Sequence, residues 1–415
     1  MNQIKQIDQT TFYLNQLSNW LESNSWAGWD PYDVYDNRIG MWMAKRENIV
    51  QRIASGLTSR ANEFFPLTLR KVGRVKPRIN AKAMGLFAAG FLQLEASENV
   101  PRQINGEPGY VPCFRWLENY KVERFGGCGW GYPFDWRSRI LIPRNTPTVV
   151  NSAIIGDAYW LKYKYHDDKD ALFQCENICL FIVTGLNRSG YKDDGSFCFS
   201  YTPEDKFQVH NANLFGAEFL IRIGMEIGCD DWVEAGLAAA NFSVSEIRED
   251  GTLNYWSNEQ AQGLQQDTYH SGFEIRAING IACLTGDKGF RKAADKYFRT
   301  WIRDFFSKDG VPCLSRGQSD VIEVHSCAEA LLCAVKMFES GTFKEELFLI
   351  HVKGVLTAAS QLWMQEEAPD RGYFASKMHK QFGFDMKVDI PYIRWGQAWM
   401  FNAIVTTQTV TKLEQ

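Results

Sequence analysis

An Asp-Gly turn followed by aromatic residues recurs along this chain at near-regular intervals. It reads Asp194-Gly195-Ser196-Phe197-Cys198-Phe199-Ser200-Tyr201, then Asp250-Gly251-Thr252-Leu253-Asn254-Tyr255-Trp256, then Asp309-Gly310-Val311-Pro312-Cys313-Leu314. A looser copy is Asp370-Arg371-Gly372-Tyr373-Phe374, and the steps between the four turns are 56, 59 and 61 residues. About 15 to 25 residues after each turn, polar groups open a helix: His210-Asn211-Ala212-Asn213, Tyr269-His270-Ser271, Val324-His325-Ser326 and Arg394-Trp395-Gly396-Gln397. Gly129-Trp130-Gly131-Tyr132 ahead of Pro147-Thr148 reads as an earlier copy, and a first copy runs from Asp30 to a helix starting near Asn80. A unit of this size cannot bury its own apolar face, so the copies must stack on one another.

Each copy carries two kinds of helix. Asn211 to Gly228 is apolar nearly all round, with its charges confined to a stripe of Glu218, Arg222 and Glu226, which predicts burial on most sides. Asp287 to Phe306 is amphipathic: Phe290, Ala294, Tyr297, Trp301 and Phe305 mark one face, and Arg291, Lys292, Lys296, Arg299 and Arg303 the other. Alternating inner and outer helices at this period predict an all-α (α/α)6 toroid of about six hairpins, with residues 1–415 as one domain. An open solenoid would need dedicated capping repeats. A closed ring of six fits the length better.

Composition narrows the function. Lys and Arg number 45 against 49 Asp and Glu, for a net charge of −4, which argues against a nucleic-acid partner. With 45% hydrophobic and 23% charged residues the chain can bury a large core. The polar start Met1-Asn2-Gln3-Ile4-Lys5-Gln6 lacks the apolar stretch of a signal peptide, and the longest mainly apolar run, Ala83 to Leu94, is well short of the roughly 20 residues a membrane span requires. The expectation is a reduced, cytoplasmic protein without a membrane span. Ten cysteines with no Cys-x-x-Cys spacing give neither a disulfide framework nor a zinc site, and no Gly-rich phosphate loop follows a strand, so neither metal nor cofactor is expected. The aromatic content is 14%, which suits either packing or a cleft for a flat amphipathic ligand such as a sugar.

In a ring of this kind the turns before the inner helices meet on one face, around the axis. Trp29-Asp30-Pro31-Tyr32-Asp33-Val34-Tyr35-Asp36 brings carboxylates among rings; Asp33 is a candidate acid or base if burial raises its pKa, set against an Asx-turn and cap before Asn37. Asn80, with Lys82 beyond it, opens the first inner helix and reads equally as an N-cap. Gly127-Cys128-Gly129-Trp130-Gly131-Tyr132-Pro133-Phe134-Asp135-Trp136-Arg137-Ser138-Arg139 combines close-approach glycines, stacking rings and charge. His210 with Asn211 and Asn213, Asp267 with His270, and His325 occupy similar places in three repeats, whereas His166, His351 and His379 read as structural. Ser271 and Ser326 lack the elbow turn of a nucleophile.

These segments also carry a resemblance. Trp29-Asp30-Pro31-Tyr32-Asp33, Asn80 with Lys82, Trp130-Gly131-Tyr132-Pro133-Phe134-Asp135-Trp136, Pro147-Thr148-Val149-Val150, Phe199-Ser200-Tyr201-Thr202-Pro203, His210-Asn211-Ala212-Asn213 and His270-Ser271-Gly272-Phe273 resemble, in order and over nearly the whole chain, one bacterial family. It is the surface-polysaccharide biosynthesis family that includes the Vibrio polysaccharide protein VpsJ. The resemblance implies a toroid of the six-hairpin glycosidase and terpenoid-cyclase kind and a role in making capsule, exopolysaccharide or O-antigen. The chain departs from the family pattern at Ser319-Asp320-Val321-Ile322-Glu323-Val324-His325, where relatives place Pro before Asp-Ile-His; Asp320 is out of register with the motif Asp and Glu323 is the alternative for it.

Together these features point to a carbohydrate-active acid/base enzyme of the glycoside hydrolase, uronate lyase or sugar epimerase type, with a saccharide as ligand and other polysaccharide-assembly proteins as partners. Asp33 and Asp135 are the carboxylates for hydrolysis; His210 and His270, or Tyr132 and Tyr201, serve elimination or epimerisation. Arg137 and Arg139 would bind a substrate anion, and Trp130, Trp136 and Trp256 would stack on sugar faces. Tyr32, Asn80, Lys82, Asn211, Asn213, Asp267 and His325 complete the binding set. A non-catalytic glycan-binding or scaffold protein is the alternative. An isoprenoid cyclase ranks below both, because no Asp-Asp-x-x-Asp motif appears.

Overall fold

A computed structural model describes residues 2–381 and 384–413. Among the described residues there are fifteen α-helices: α1 (Asn2–Ser23), α2 (Arg38–Lys45), α3 (Ile49–Phe64), α4 (Pro66–Gly73), α5 (Ala81–Glu98), α6 (Tyr110–Tyr120), α7 (Val149–His166), α8 (Lys169–Leu180), α9 (His210–Ile227), α10 (Asp230–Val244), α11 (Thr268–Thr285), α12 (Lys288–Asp304), α13 (Val324–Glu339), α14 (Glu345–Ser360) and α15 (Ala398–Leu413). The helices α5, α7, α9, α11, α13 and α15 each pack against the next, and α15 returns to pack against α5. Each inner helix is backed by an outer one, α6, α8, α10, α12 and α14 in turn, and α1 backs α15. This is the (α/α)6 toroid that the repeat predicts.

Local chemistry sets these elements. The turns at Gly195, Gly251 and Gly310 hold φ of +81°, +86° and +76°, a left-handed conformation that favours glycine. Asn80, Thr148 and Asp267 cap α5, α7 and α11 through their side chains. The amphipathic α12 buries Phe290, Ala294, Tyr297 and Trp301, as its periodicity requires. Inner helices approach closely: a methyl group at Gly156 would lie 2.4 Å from the Phe219 ring. Buried apolar residues from Tyr13 to Val410 form one continuous cluster.

The hairpins are also stitched at the inner-helix N-termini. The first N–H of an inner helix donates to a carbonyl in the loop before the following inner helix: Val149 to Tyr201 (3.0 Å), His210 to Tyr255 (3.2 Å), Thr268 to Leu314 (3.2 Å) and Val324 to Ser376 (3.1 Å). At the seam, Ile393 donates to Trp29 (2.9 Å) and joins the end of the ring to its beginning. The recurring aromatic turns are therefore pinned around the axis.

Two features have no counterpart in the repeat pattern. Helices α2, α3 and α4 fill the stretch between the Asp30 turn and the first inner helix. A three-stranded antiparallel sheet has Lys377–Gln381 between Val321–Glu323 and Phe384–Val388. Phe384–Val388 alternates apolar and polar residues, yet only Val388 of it is buried, so pairing with the neighbouring strand rather than a buried face sets it.

Candidate functional site

The stitching bonds align the six inner helices, and with them a ring of side chains. Immediately after the first residue of α5, α7, α9, α11 and α13 come Lys82, Val150, Asn211, Tyr269 and His325; Arg394 holds the same place in the short π-helical turn Ile393–Gln397 that leads into α15, and all six line one axial cavity of about 160 Å³. Phe273, one turn further along α11, also lines it. Aromatic turns wall it with Tyr32, Tyr132, Trp136, Tyr201, Tyr255, Trp256 and Trp395. The N-termini of the six inner helices gather here, so their dipoles favour negative charge in the cavity.

Two imidazoles face this space from neighbouring helices. His270 follows Tyr269 on α11, and its Nδ1 lies 2.6 Å from Asp267 Oδ2. A carboxylate partner fixes Nδ1 as the donor and leaves Nε2 as a base. His325 stacks on Tyr269 with ring centres 4.3 Å apart and 17° between planes, while the His270 ring centre is also 4.3 Å from that of Tyr269. Both His325 nitrogens are buried without a hydrogen-bond partner. Burial, then the charges of Lys82, His270 and Arg394, holds the His325 pKa well below its ordinary value. It is a neutral imidazole with one donor and one acceptor to offer.

Fixed charge comes from Arg394. Its Nε and Nη2 reach Asp30 Oδ2 and Oδ1 at 2.6 and 2.9 Å, and Asn80 Nδ2 donates to Asp30 at 3.3 Å. Its guanidinium lies 4.6 Å from the Tyr132 ring centre. Burial, reinforced by Arg394, pushes the Lys82 pKa well below the ordinary lysine value. Burial raises the pKa of Tyr201, Tyr255 and Tyr269, which keeps these phenols protonated. Trp136 Nε1 and Asn211 Oδ1 are buried and without partners. With His325, four unpaired buried polar atoms belong to residues lining one small cavity, whereas buried polar groups are normally paired.

Of the residues singled out from sequence, Tyr32, Lys82, Tyr132, Trp136, Arg137, Tyr201, Asn211, Trp256, His270 and His325 line the cavity. Asp267 orients His270, and Asn80 caps α5 while bonding Asp30. Others are placed elsewhere, for identifiable reasons. His210 is fully buried, one residue before the ring position, and bonds Ser243 (3.0 Å) and Glu246 (3.1 Å). Asn213 accepts from the Phe199 N–H and donates to Ala239 O and Ser243. Trp130 is fully buried and donates to Leu117 O at 2.9 Å, so it is a core ring rather than a stacking platform. Asp33 is tied to Arg70 at 2.6 Å and accepts from the Asp30 N–H, and burial pushes its pKa up to about 7. Asp135 accepts from the Arg144 N–H at 2.7 Å and pairs with that side chain, shaping a turn. Arg139 lies over Trp256, 3.6 Å from its ring centre, and donates to Gln260 O.

Sequence reasoning left Arg394, Tyr269 and Trp395 out of the site. The missing signal was register: the residue that follows Ala81, His210, Thr268, Val324 and Ile393 marks the ring. Among the described residues no group of three His, Cys, Asp or Glu side chains is arranged to hold a metal ion, and no helix is long and apolar enough to cross a membrane.

Fold and cavity together define an (α/α)6 toroid with a polar, ring-walled axial site at its inner-helix N-termini. Solved structures share this architecture. A cellobiose 2-epimerase from Bacillus thermoamylovorans superposes with a TM-score of 0.58 at 12% identity, over 81% of this chain and 90% of that one. A GH76 α-mannanase from Bacteroides thetaiotaomicron gives 0.57 at 12% identity, over 80% and 87%. A D-mannose isomerase gives 0.55 at 11% identity, again over 80% and 87%. At such identities the likeness establishes the fold. No protein-family model and no curated protein sequence matches the chain.

Proposed function

We propose that this protein is a sugar isomerase or epimerase that moves a proton at the carbon next to the carbonyl of an open-chain sugar. The observation that carries this reading is the pair of imidazoles, His270 and His325, each with its ring centre 4.3 Å from that of Tyr269 and both lining one cavity. His270 Nε2 takes the proton while Asp267 stabilises the imidazolium that forms. The electron pair moves onto the carbonyl oxygen and gives an enediolate, which the His325 N–H, Arg394 and the six helix N-termini stabilise. The imidazolium then returns the proton to the neighbouring carbon for isomerisation, as His325 gives its N–H proton to the first oxygen and takes the hydroxyl proton from the second, or to the same carbon for epimerisation once the enediolate has turned its other face to His270.

Hydrolysis needs two carboxyl groups facing each other across a glycosidic bond. Here Asp30 is held by Arg394, Asp33 by Arg70, Asp135 by Arg144 and Asp267 by His270. Each is committed to a partner. The solved structures with this fold include a cellobiose epimerase and a D-mannose isomerase, which supports the choice. The resemblance of several sequence blocks to a surface-polysaccharide family supports a place for the reaction in glycan assembly. Reducing sugars incubated with the protein in D2O should gain deuterium at the carbon beside the carbonyl, read by NMR. New reducing ends without exchange would mean a hydrolase, and binding without either would mean a glycan-binding protein.

A further inference from the structure

A second cavity, of about 330 Å³, adjoins the axial one, and Tyr32, Arg137, His325 and Trp395 line both. Ligand sites commonly run roughly 300–1,000 Å³, so the axial cavity alone falls short of that range and the two joined come within it.

The second cavity is built by the part of the chain that stands outside the hairpin repeat. Ala44 of α2 and Ser55, Ser59, Asn62 and Glu63 of α3 form one wall. Glu323 and Lys377 from two strands of the sheet form the other, and Tyr35 and Tyr392 add ring faces. The lining is hydroxyl, carboxamide, carboxyl and amine interleaved with aromatic rings, the mixture that grips a neutral polyol. A phosphate would need uncommitted cationic heads, and Lys377 sits opposite Glu323 in the strand pairing, its charge acting on that carboxyl. Arg46 instead donates to Ser55 Oγ at 3.0 Å and Arg137 to the Lys45 carbonyl at 3.1 Å. At the junction stands buried His325, both ring nitrogens without partners.

We propose that this side chamber is a second sugar subsite: the substrate is a reducing glycoside of two or more rings, whose reacting unit occupies the axial cavity while its next ring lies against α3. The inference rests on the sugar-isomerase reading of the axial site and names its substrate class. The helices α2 and α3 would then be a specificity module grafted onto the ring.

The test is binding by titration calorimetry and saturation-transfer NMR with glucose, mannose and galactose against cellobiose, mannobiose and galactobiose. The disaccharide that shares the preferred reducing sugar should bind at least tenfold more tightly, with saturation transfer to both rings. Ser59→Leu, on an exposed position of α3, should bring that ratio close to one, and Lys377→Ala should lower it without filling space. Equal affinity for monosaccharide and disaccharide, or a ratio untouched by Ser59→Leu, would overturn the second subsite while leaving the axial reading standing. No binding by any of the six sugars would overturn both.

Discussion

Three inner helices of this ring begin with a histidine within their first three residues, yet the three side chains live in different worlds. His210 is the first residue of α9, His325 the second of α13 and His270 the third of α11. One residue turns a helix by about 100°. At the first position the side chain faces the outer helix, where His210 meets Ser243 and Glu246. At the second and third it reaches the axial cavity. Repeat position alone therefore does not assign a role. Register within the first turn does.

The strongest way to break this contrast is at His270. His270→Asn should lower kcat by about 10²–10⁴, the usual worth of a positioned acid or base, with little change in thermal stability. Asp267→Asn keeps a good N-cap for α11 but removes the charge behind the imidazole, so it should cost kcat on the order of 10² and shift the pH–rate profile. At His210 the balance reverses. His210→Ala empties a buried site and removes the bridge between Ser243 and Glu246, and should cost about 2–4 kcal/mol in denaturant unfolding, with kcat per folded molecule nearly unchanged.

A histidine far from the cavity sharpens the scale. His351 is packed among Phe306, Phe343 and Trp301, and burial holds its pKa at about 4. Between that value and the 6.5 of an unperturbed histidine the unfolded chain binds more protons, so stability is lost as pH falls through this window. The loss is on the order of 3 kcal/mol, and His351→Phe should remove that share of the slope in denaturant midpoints measured from pH 7 to pH 4. The smallest effect belongs to Asp135, whose pair with Arg144 is part-exposed. Asp135→Asn should leave turnover within about twofold and stability within about 1 kcal/mol.

The fold was legible because the Asp194-Gly195, Asp250-Gly251 and Asp309-Gly310 turns and the all-apolar against amphipathic helices are local signals. The insertion of α2 to α4 was not, because nothing in a repeat announces a departure from it. For the site, the aromatic turns and His270 were readable from residue type. Trp130 was misjudged because a buried ring and a stacking platform share the same residue chemistry, and only its hydrogen bond to Leu117 separates them. Asp33 and Asp135 looked like catalytic carboxylates because their partners, Arg70 and Arg144, are 37 and 9 residues away in sequence. Arg394 reaches Asp30 across 364 residues, a contact that exists only once the ring has closed.

The claim to test is that His270 moves the carbon-bound proton while His325 stabilises the enediolate, and that His210 takes no part. Deuterium wash-in from D2O at the sugar carbon beside the carbonyl, compared across His270→Asn, His325→Asn and His210→Asn, addresses it most directly. At least a hundredfold loss of exchange is expected in the first two and near-native exchange per folded molecule in the third. Exchange that survives at His270 and His325 but vanishes at His210 would contradict it.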